Sequence, residues 1–223
     1  MRAACGLIGP IVFTSAWVVG ERRQAAYSVR DEHISGLAAP DADAPHLMTA
    51  GFLTLGVCTL AFADELHRRL GRDGGAGWGP ALLGLSGAAA IVAGLFRRDR
   101  RSNFPPPGTP PGQSWVNDVH DIASAAGNVA GIVGTLLLAH RFRDDPEWAP
   151  LHRAALGSAA SSLGLMSYFA SETTRPWNGV VQRAGITIPL AFMAAAALRM
   201  LRSPGQSRGA RIISGIAFAP SSR

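Results

Sequence analysis

The chain carries little charge and no lysine. Charged residues make up 16% of its 223 positions, whereas soluble domains have about a quarter. All 21 basic residues are arginines, and they stand in short clusters between apolar runs. No aromatic residues are interleaved with these clusters, as they would be on a surface that stacks nucleic-acid bases. The net charge of +6 therefore does not indicate a nucleic-acid partner. The pattern favours arginines that flank membrane spans and meet lipid headgroups.

Cysteine is equally scarce. Cys5 and Cys58 are the only two, and each stands in an apolar run as a small buried side chain would. A zinc site or a disulfide framework requires more cysteines at short spacing. The sequence therefore predicts neither a metal site nor a disulfide framework.

Six apolar stretches dominate the chain. Each has about 17 to 21 residues, enough for a helix to cross a bilayer core of roughly 30 Å. They are Ala4–Gly20, Leu47–Ala63, Gly79–Phe96, Val119–Ala139, Ala154–Ala170 and Ala184–Leu201. Several lack the polar face that a soluble helix shows at a period of 3.6 residues. The sequence predicts an all-α fold, a polytopic membrane bundle of six transmembrane helices.

The composition changes after the sixth stretch. Residues 1–202 are predicted to form one six-helix transmembrane domain. Residues 203–223 are rich in arginine, serine, glycine and proline, a composition that predicts a tail that is disordered or lies on the membrane surface.

Small residues recur at helical spacing in two of the stretches. Gly127 and Gly131 form a GxxxG pair in the fourth, and Gly157 and Ser161 form a similar pair in the fifth. Such pairs let two helix backbones approach closely. We expect both pairs to pack against neighbouring helices of the same chain.

The distribution of arginine predicts the orientation. Twelve arginines lie on the side that holds both termini and the second and fourth loops, and nine lie on the other side. Cytoplasmic segments of membrane proteins are enriched in basic residues. Together with a lysine-free composition typical of GC-rich bacterial genomes, this predicts a multi-pass protein of the bacterial inner membrane with cytoplasmic N- and C-termini.

Polar side chains gather where several spans meet the predicted outer surface. They are Tyr27, Ser28, Asp31, Glu32, Asp99, His120, Asp121, Tyr168 and Glu172. His120, Ser124 and Asn128 recur every four residues and share one face of the fourth helix. Polar residues in a membrane helix are costly unless they face the bundle or water, so this face is predicted to line a pocket open to the outer leaflet. The alternative is that these residues only bond a neighbouring helix or cap their own.

Short motifs near the same positions resemble the DUF998 family of bacterial six-span membrane proteins. The likeness rests on the Gly6–Pro10 opening, on Tyr27–Ser35, on Gly94–Phe96 followed by Asp99, and on His120 at the start of the fourth span. It extends to about Arg202. The family has no settled activity, so the resemblance implies the fold and not a reaction.

Two functions fit these residues. The first is binding of a lipid or isoprenoid in a helix-lined pocket with a polar rim on the outer side. The candidate partners are membrane lipids and another membrane protein. The ligand-binding candidates are Tyr27, Ser28, Ser124, Asn128 and Tyr168. The alternative is a membrane-embedded enzyme that acts on a lipid or polyprenyl substrate, for example by proton-initiated cyclisation. Its acid–base candidates are Asp31, Glu32, Asp99, His120, Asp121 and Glu172.

Histidine pairs in the second and fourth stretches raise the question of haem. His46 pairs with His67, and His120 pairs with His140. About twenty residues of helix separate the members of each pair by some 30 Å, which places them at opposite membrane surfaces. We therefore expect no haem and no other cofactor.

Overall fold

The computed structural model describes residues 1–70, 77–104, 113–171 and 176–202. Six long helices lie within these ranges: α1 Arg2–Arg23, α2 Pro45–Leu70, α3 Trp78–Leu95, α4 Trp115–Arg143, α5 His152–Ser171 and α6 Asn178–Arg202. Each coincides with one of the predicted apolar stretches. All except α5 are long and apolar enough to cross a membrane. The predicted all-α membrane bundle is confirmed, while residues 203–223 lie outside the described part.

Polar turns extend α2 and α4 beyond their apolar stretches. α4 begins at Trp115 because the side chain of Ser114 accepts a hydrogen bond from the backbone N–H of Asn117 at 3.3 Å. α2 continues to Leu70 past its apolar part, where Glu65 pairs with Arg69 one turn later at 3.0 Å. The apolar runs therefore predict where the helices lie, and the flanking polar residues determine where they begin and end.

The fifth helix differs from the others in composition. α5 carries five serines and two glycines among its 20 residues, and it is not among the helices apolar enough to span a membrane by themselves. It still packs against α4 and α6 as a member of the bundle. By length and composition, five of the six predicted spans are therefore able to cross a membrane.

The six helices form a closed ring. Each packs against its neighbours in sequence, and α6 returns to α1. The ring has two ends. The cap end carries the loop of residues 24–44 and the loop that follows α3, and the terminal end carries Met1, the α4–α5 loop and Arg202. Large side chains fill the ring interior, among them Phe13, Met48, Phe62, Phe142, Phe192 and Met193.

Glycines allow the closest helix contacts. A Cβ on Gly56 of α2 would lie 2.5 Å from the carbonyl oxygen of Gly87 on α3. A Cβ on Gly127 would lie 2.8 Å from that of Ala89, so the predicted packing of the GxxxG pair within the chain is confirmed. The prediction for the fifth helix is wrong, because no atom lies within 4 Å of a Cβ built on Gly157, and Ser161 is exposed.

Candidate functional site

The first loop folds back and closes the cap end. Residues 32–39 are all buried, and the 3₁₀ helix Ile34–Ala38 packs against α1, α2 and α6. The backbone N–H of Ile34 donates to Oε1 of Gln182 on α6 at 2.8 Å. Gly36 passes so close to the third loop that a Cβ there would overlap the Arg101 carbonyl. The loop thus covers the helix ends where the sequence predicted an opening.

The guanidinium of Arg183 is the centre of a buried network beneath this loop. Its side chain is 8% exposed, and its Nε donates to Oε1 of Glu21 at 2.7 Å. One terminal nitrogen donates to the carbonyls of Glu32 and Gly179, each at 2.9 Å. The other donates to the hydroxyl of Tyr27 at 2.8 Å. Because Glu21 lies near the end of α1, this buried ion pair joins α1, α6 and the first loop.

Tyr27 extends the network into the loop. Its hydroxyl donates to the carbonyl of His33 at 2.9 Å, and its ring centroid lies 5.7 Å from the Arg183 guanidinium. Burial raises the pKa of Tyr27 to about 12, against the lowering effect of Arg183. The hydroxyl is therefore protonated at neutral pH and acts as a hydrogen-bond donor rather than a base.

Asp31 and Glu32 shape the loop and tie it to the start of α6. The carboxylate of Asp31 accepts from the backbone N–H of Trp177 at 3.0 Å and from the hydroxyl of Ser28 at 2.9 Å. The bond from Trp177 contributes most to lowering the pKa of Asp31, and the bond from Ser28 and the charge of Arg30 add to it. The carboxylate of Glu32 accepts from the N–H of Ser28 at 3.2 Å. The structure therefore brings Tyr27, Ser28, Asp31 and Glu32 together.

Asp99 and Asp121 form a second group where the third loop meets α4. Asp99 accepts from both the hydroxyl and the N–H of Ser114, the latter at 2.7 Å, and these bonds lower the pKa of Asp99. The side chain of Asn117 accepts from the N–H of Asp99 at 3.2 Å and donates to Asp121 at 2.8 Å. Asn117 thus joins the two aspartates at the first turn of α4.

Arg98 connects the two groups. One of its terminal nitrogens donates to Oδ1 of Asn103 at 2.6 Å and lies 3.1 Å from Nδ1 of His33 in the first loop. Its Nε lies 4.0 Å from Asp121. The first and third loops are therefore held together by a largely buried arginine.

His120 stabilises the end of α3. It is 1% exposed, and its Nδ1 lies 2.8 Å from the carbonyl oxygen of Ala93 and 2.9 Å from that of Phe96. Because both partners are acceptors, Nδ1 carries the proton. The last carbonyls of a helix have no partner within it, so His120 fills a structural need at this point.

The remaining predicted residues contribute little to this network. The side chain of Asn128 donates to the carbonyl of Ser124 at 2.8 Å, within α4 itself. Tyr168 is 42% exposed on α5. Glu172 lies outside the described residues. Within the described ranges, no three His, Cys, Asp or Glu residues are grouped as a metal ion would require.

Arg183, the central residue, was not among the predicted site residues. In the sequence it stands just before the predicted sixth stretch, Ala184–Leu201, where a flanking arginine is ordinary. Only the structure places it within α6, where a charged side chain is a functional candidate. Its partner Glu21 stands 162 positions earlier. No local pattern predicts a pairing of that separation.

The terminal end carries an open cavity of about 270 Å³ between the end of the α4–α5 loop and the last turns of α6. Its lining consists of Leu151, Ala195, Leu198, Arg199 and Arg202. The cavity thus combines an apolar wall with a cationic edge, and none of its residues was among the predicted ligand-binding candidates.

A family model described as "protein of unknown function (DUF998)" matches residues 7–199. Neither a curated protein nor a solved structure matches the chain. The match runs from α1 to α6 and includes both ends of the bundle.

Proposed function

This chain belongs to the DUF998 family, whose description assigns no activity, and we propose that it is an integral membrane protein that binds a lipid or isoprenoid without chemistry of its own. Such a protein acts as a sensor, a chaperone or an assembly factor for another membrane protein. The five apolar helices place the chain among membrane proteins, and the proposal adds the class of ligand.

The position of the cavity carries this proposal. It lies between the end of the α4–α5 loop and α6, and its lining residues are not those that fill the ring interior. Leu198 on its wall is 40% exposed, and the neighbouring Leu201 is 42% exposed. Apolar surface therefore continues from the cavity to the outside of the bundle. A molecule that diffuses in the bilayer can enter from the side, and lipids and isoprenoids are molecules of that kind.

The groups at the cap end favour binding over the alternative, a membrane-embedded enzyme. Proton-initiated cyclisation needs a carboxylic acid that keeps its proton, and hence a raised pKa. The pKa values of Asp31 and Asp99 are lowered instead. His120 directs Nδ1 at two backbone carbonyls, which accounts for its burial without catalysis.

The proposed location is the bacterial inner membrane, with the terminal end in the cytoplasm. The excess of arginine on that side supports this orientation. Exposed tryptophans mark both surfaces, as aromatic residues do at membrane interfaces. Trp115 and Trp177 lie at the cap end and Trp78 at the terminal end, each more than half exposed.

The test is mass spectrometry of an organic extract of the protein purified in detergent. Extracts of bulk membrane and of an unrelated membrane protein purified in the same way serve as controls. We expect one lipid or isoprenoid class to be enriched with this protein relative to both controls. An extract with the same composition as bulk membrane would contradict the proposal.

A further inference from the structure

The cavity at the terminal end has a regular arrangement of side chains. Ala195, Leu198, Arg199 and Arg202 recur at intervals of three, one and three residues, so they share one face of α6. Leu151 faces them from the end of the α4–α5 loop. The arginines stand nearest the end of α6, and the apolar residues lie deeper along the helix and opposite it.

Both arginines carry N–H groups that donate no hydrogen bond to another described residue. Nε of Arg199 donates to the carbonyl of Glu147, which fixes the guanidinium at the mouth of the cavity. Its terminal nitrogens form no hydrogen bond or ion pair with another described residue, and neither does the exposed Arg202. Each guanidinium therefore presents a pair of N–H groups in the planar geometry that binds a phosphate through two bonds.

The surrounding chain neutralises these charges only in part. None of the described lining residues is acidic. Two carboxylates of the α4–α5 loop are already paired, Asp144 with Arg143 and Asp145 with Arg141. Glu147 alone then stands against two arginines, so positive charge is in excess and an anion from outside the chain is the complementary ligand.

We propose that this cavity binds an anionic phospholipid of the leaflet that faces the terminal end. Its phosphodiester is held by Arg199 and Arg202, and the first part of an acyl chain lies along Leu151, Ala195 and Leu198. The inference rests on the proposed lipid-binding function and names the headgroup chemistry and the residues that recognise it. A phosphodiester supplies the charge, and its attached chains supply the apolar surface that the cavity wall requires.

The experiment compares lipids retained in nanodiscs that contain equal amounts of phosphatidylglycerol and phosphatidylcholine. Native mass spectrometry of the full chain gives the ratio of the two bound lipids. We expect the wild type to favour phosphatidylglycerol, and the double variant Arg199→Gln/Arg202→Gln to reduce that preference by about 25-fold at low ionic strength, roughly fivefold for each arginine. The matched control Arg22→Gln/Arg23→Gln removes the same charge from exposed positions at the cap end and should reduce the preference by clearly less than the double variant in the cavity does.

A single variant tests whether misfolding of the double variant explains the result. Arg202 is exposed and forms no hydrogen bond or ion pair with another described residue, so Arg202→Gln should fold normally and lose about fivefold of the preference by itself. If lipids bind without preference, or if the variants match the wild type, the headgroup site is wrong while lipid binding stands. If the wild type retains no lipid of either kind, both proposals fail. An equal loss in the control overturns the assignment to Arg199 and Arg202.

Discussion

At the scale of single residues, a buried charge is stable only when its partners surround it. Arg183 pairs with Glu21 and donates to three further oxygens, those of Tyr27, Glu32 and Gly179. Removing either member of a buried ion pair leaves the other desolvated and without compensation. The stability of the cap end therefore depends on this pair more than on the exposed arginines around it.

We expect Arg183→Gln to lower the free energy of unfolding by about 3 kcal/mol, because the carboxylate of Glu21 would stay buried without its partner. Thermal unfolding in detergent measures the effect. Arg22→Gln, at an exposed neighbouring position, should change stability by less than about 0.5 kcal/mol. The double variant Glu21→Gln/Arg183→Gln should be more stable than the sum of the single changes predicts, and strict additivity would contradict the pairing.

The titration of Tyr27 is a second test at this scale. The folded protein holds its proton to about pH 12, whereas the unfolded chain releases it near 10.0. Between these values the unfolded state binds fewer protons, so stability falls as pH rises through that window. The chain has two tyrosines, and the variant Tyr168→Phe leaves Tyr27 alone.

In Tyr168→Phe we expect the ultraviolet absorbance of tyrosinate to appear with a midpoint of about 12. The same variant in denaturant provides the control and should titrate near the ordinary value of 10.0. A midpoint near 10.0 in the folded protein would show that Tyr27 is exposed to water and that the first loop does not close the cap end.

At the scale of elements, glycine positions set the spacing between helices. Apolar surface gains little from association inside a bilayer, so close packing is what joins membrane helices. Gly56 and Gly87 face each other across α2 and α3, and each occupies the space that a Cβ on the other would need. α5 lacks such a contact on the face that carries Gly157.

We expect Gly56→Ala to destabilise the bundle by about 1 to 3 kcal/mol, because the added methyl group would lie 2.5 Å from the Gly87 carbonyl oxygen. Gly157→Ala is the matched change on an open helix face, and the gain in helix propensity should make it neutral or stabilising by up to about 1 kcal/mol. Thermal unfolding of the two variants in the same detergent gives the comparison. Equal losses in both would contradict the assigned α2–α3 contact.

The sequence predicts the helices well and the cap end poorly, for physical reasons. An apolar run such as that of α3 can only be a helix in lipid, where every backbone group must bond within its own segment. The polar residues of the first loop are recognisable as a group, and Tyr27, Ser28, Asp31 and Glu32 do come together. Their partner Arg183 and the burial of residues 32–39 depend on contacts between distant parts of the chain, which periodicity does not report.

At the scale of the whole molecule, the two ends of the ring differ in character. The cap end is closed by bonds among protein groups, and the terminal end has an open cavity with arginines at its edge. Basic residues favour the cytoplasmic side, where anionic lipids are abundant. The open end and the arginine-rich side therefore coincide.

We expect a reporter that is active only in the periplasm to be inactive when fused after Arg202, and a reporter active only in the cytoplasm to be active there. The same pair inserted after Arg30 in the first loop should give the opposite result and serves as the control. The reverse pattern would place the cap end in the cytoplasm and the cavity in the outer leaflet.

The central claim, a lipid held at the terminal end, is tested most directly by crosslinking in native membranes. A photoreactive amino acid replaces Leu198 in the cavity, and in a second protein it replaces Leu137 on α4. The two leucines are 40% and 41% exposed, so the two positions are matched in exposure. We predict that position 198 crosslinks an anionic phospholipid far more often than position 137 does. The same lipid composition at both positions, or crosslinks from position 198 to residues 203–223 in place of lipid, would contradict the account.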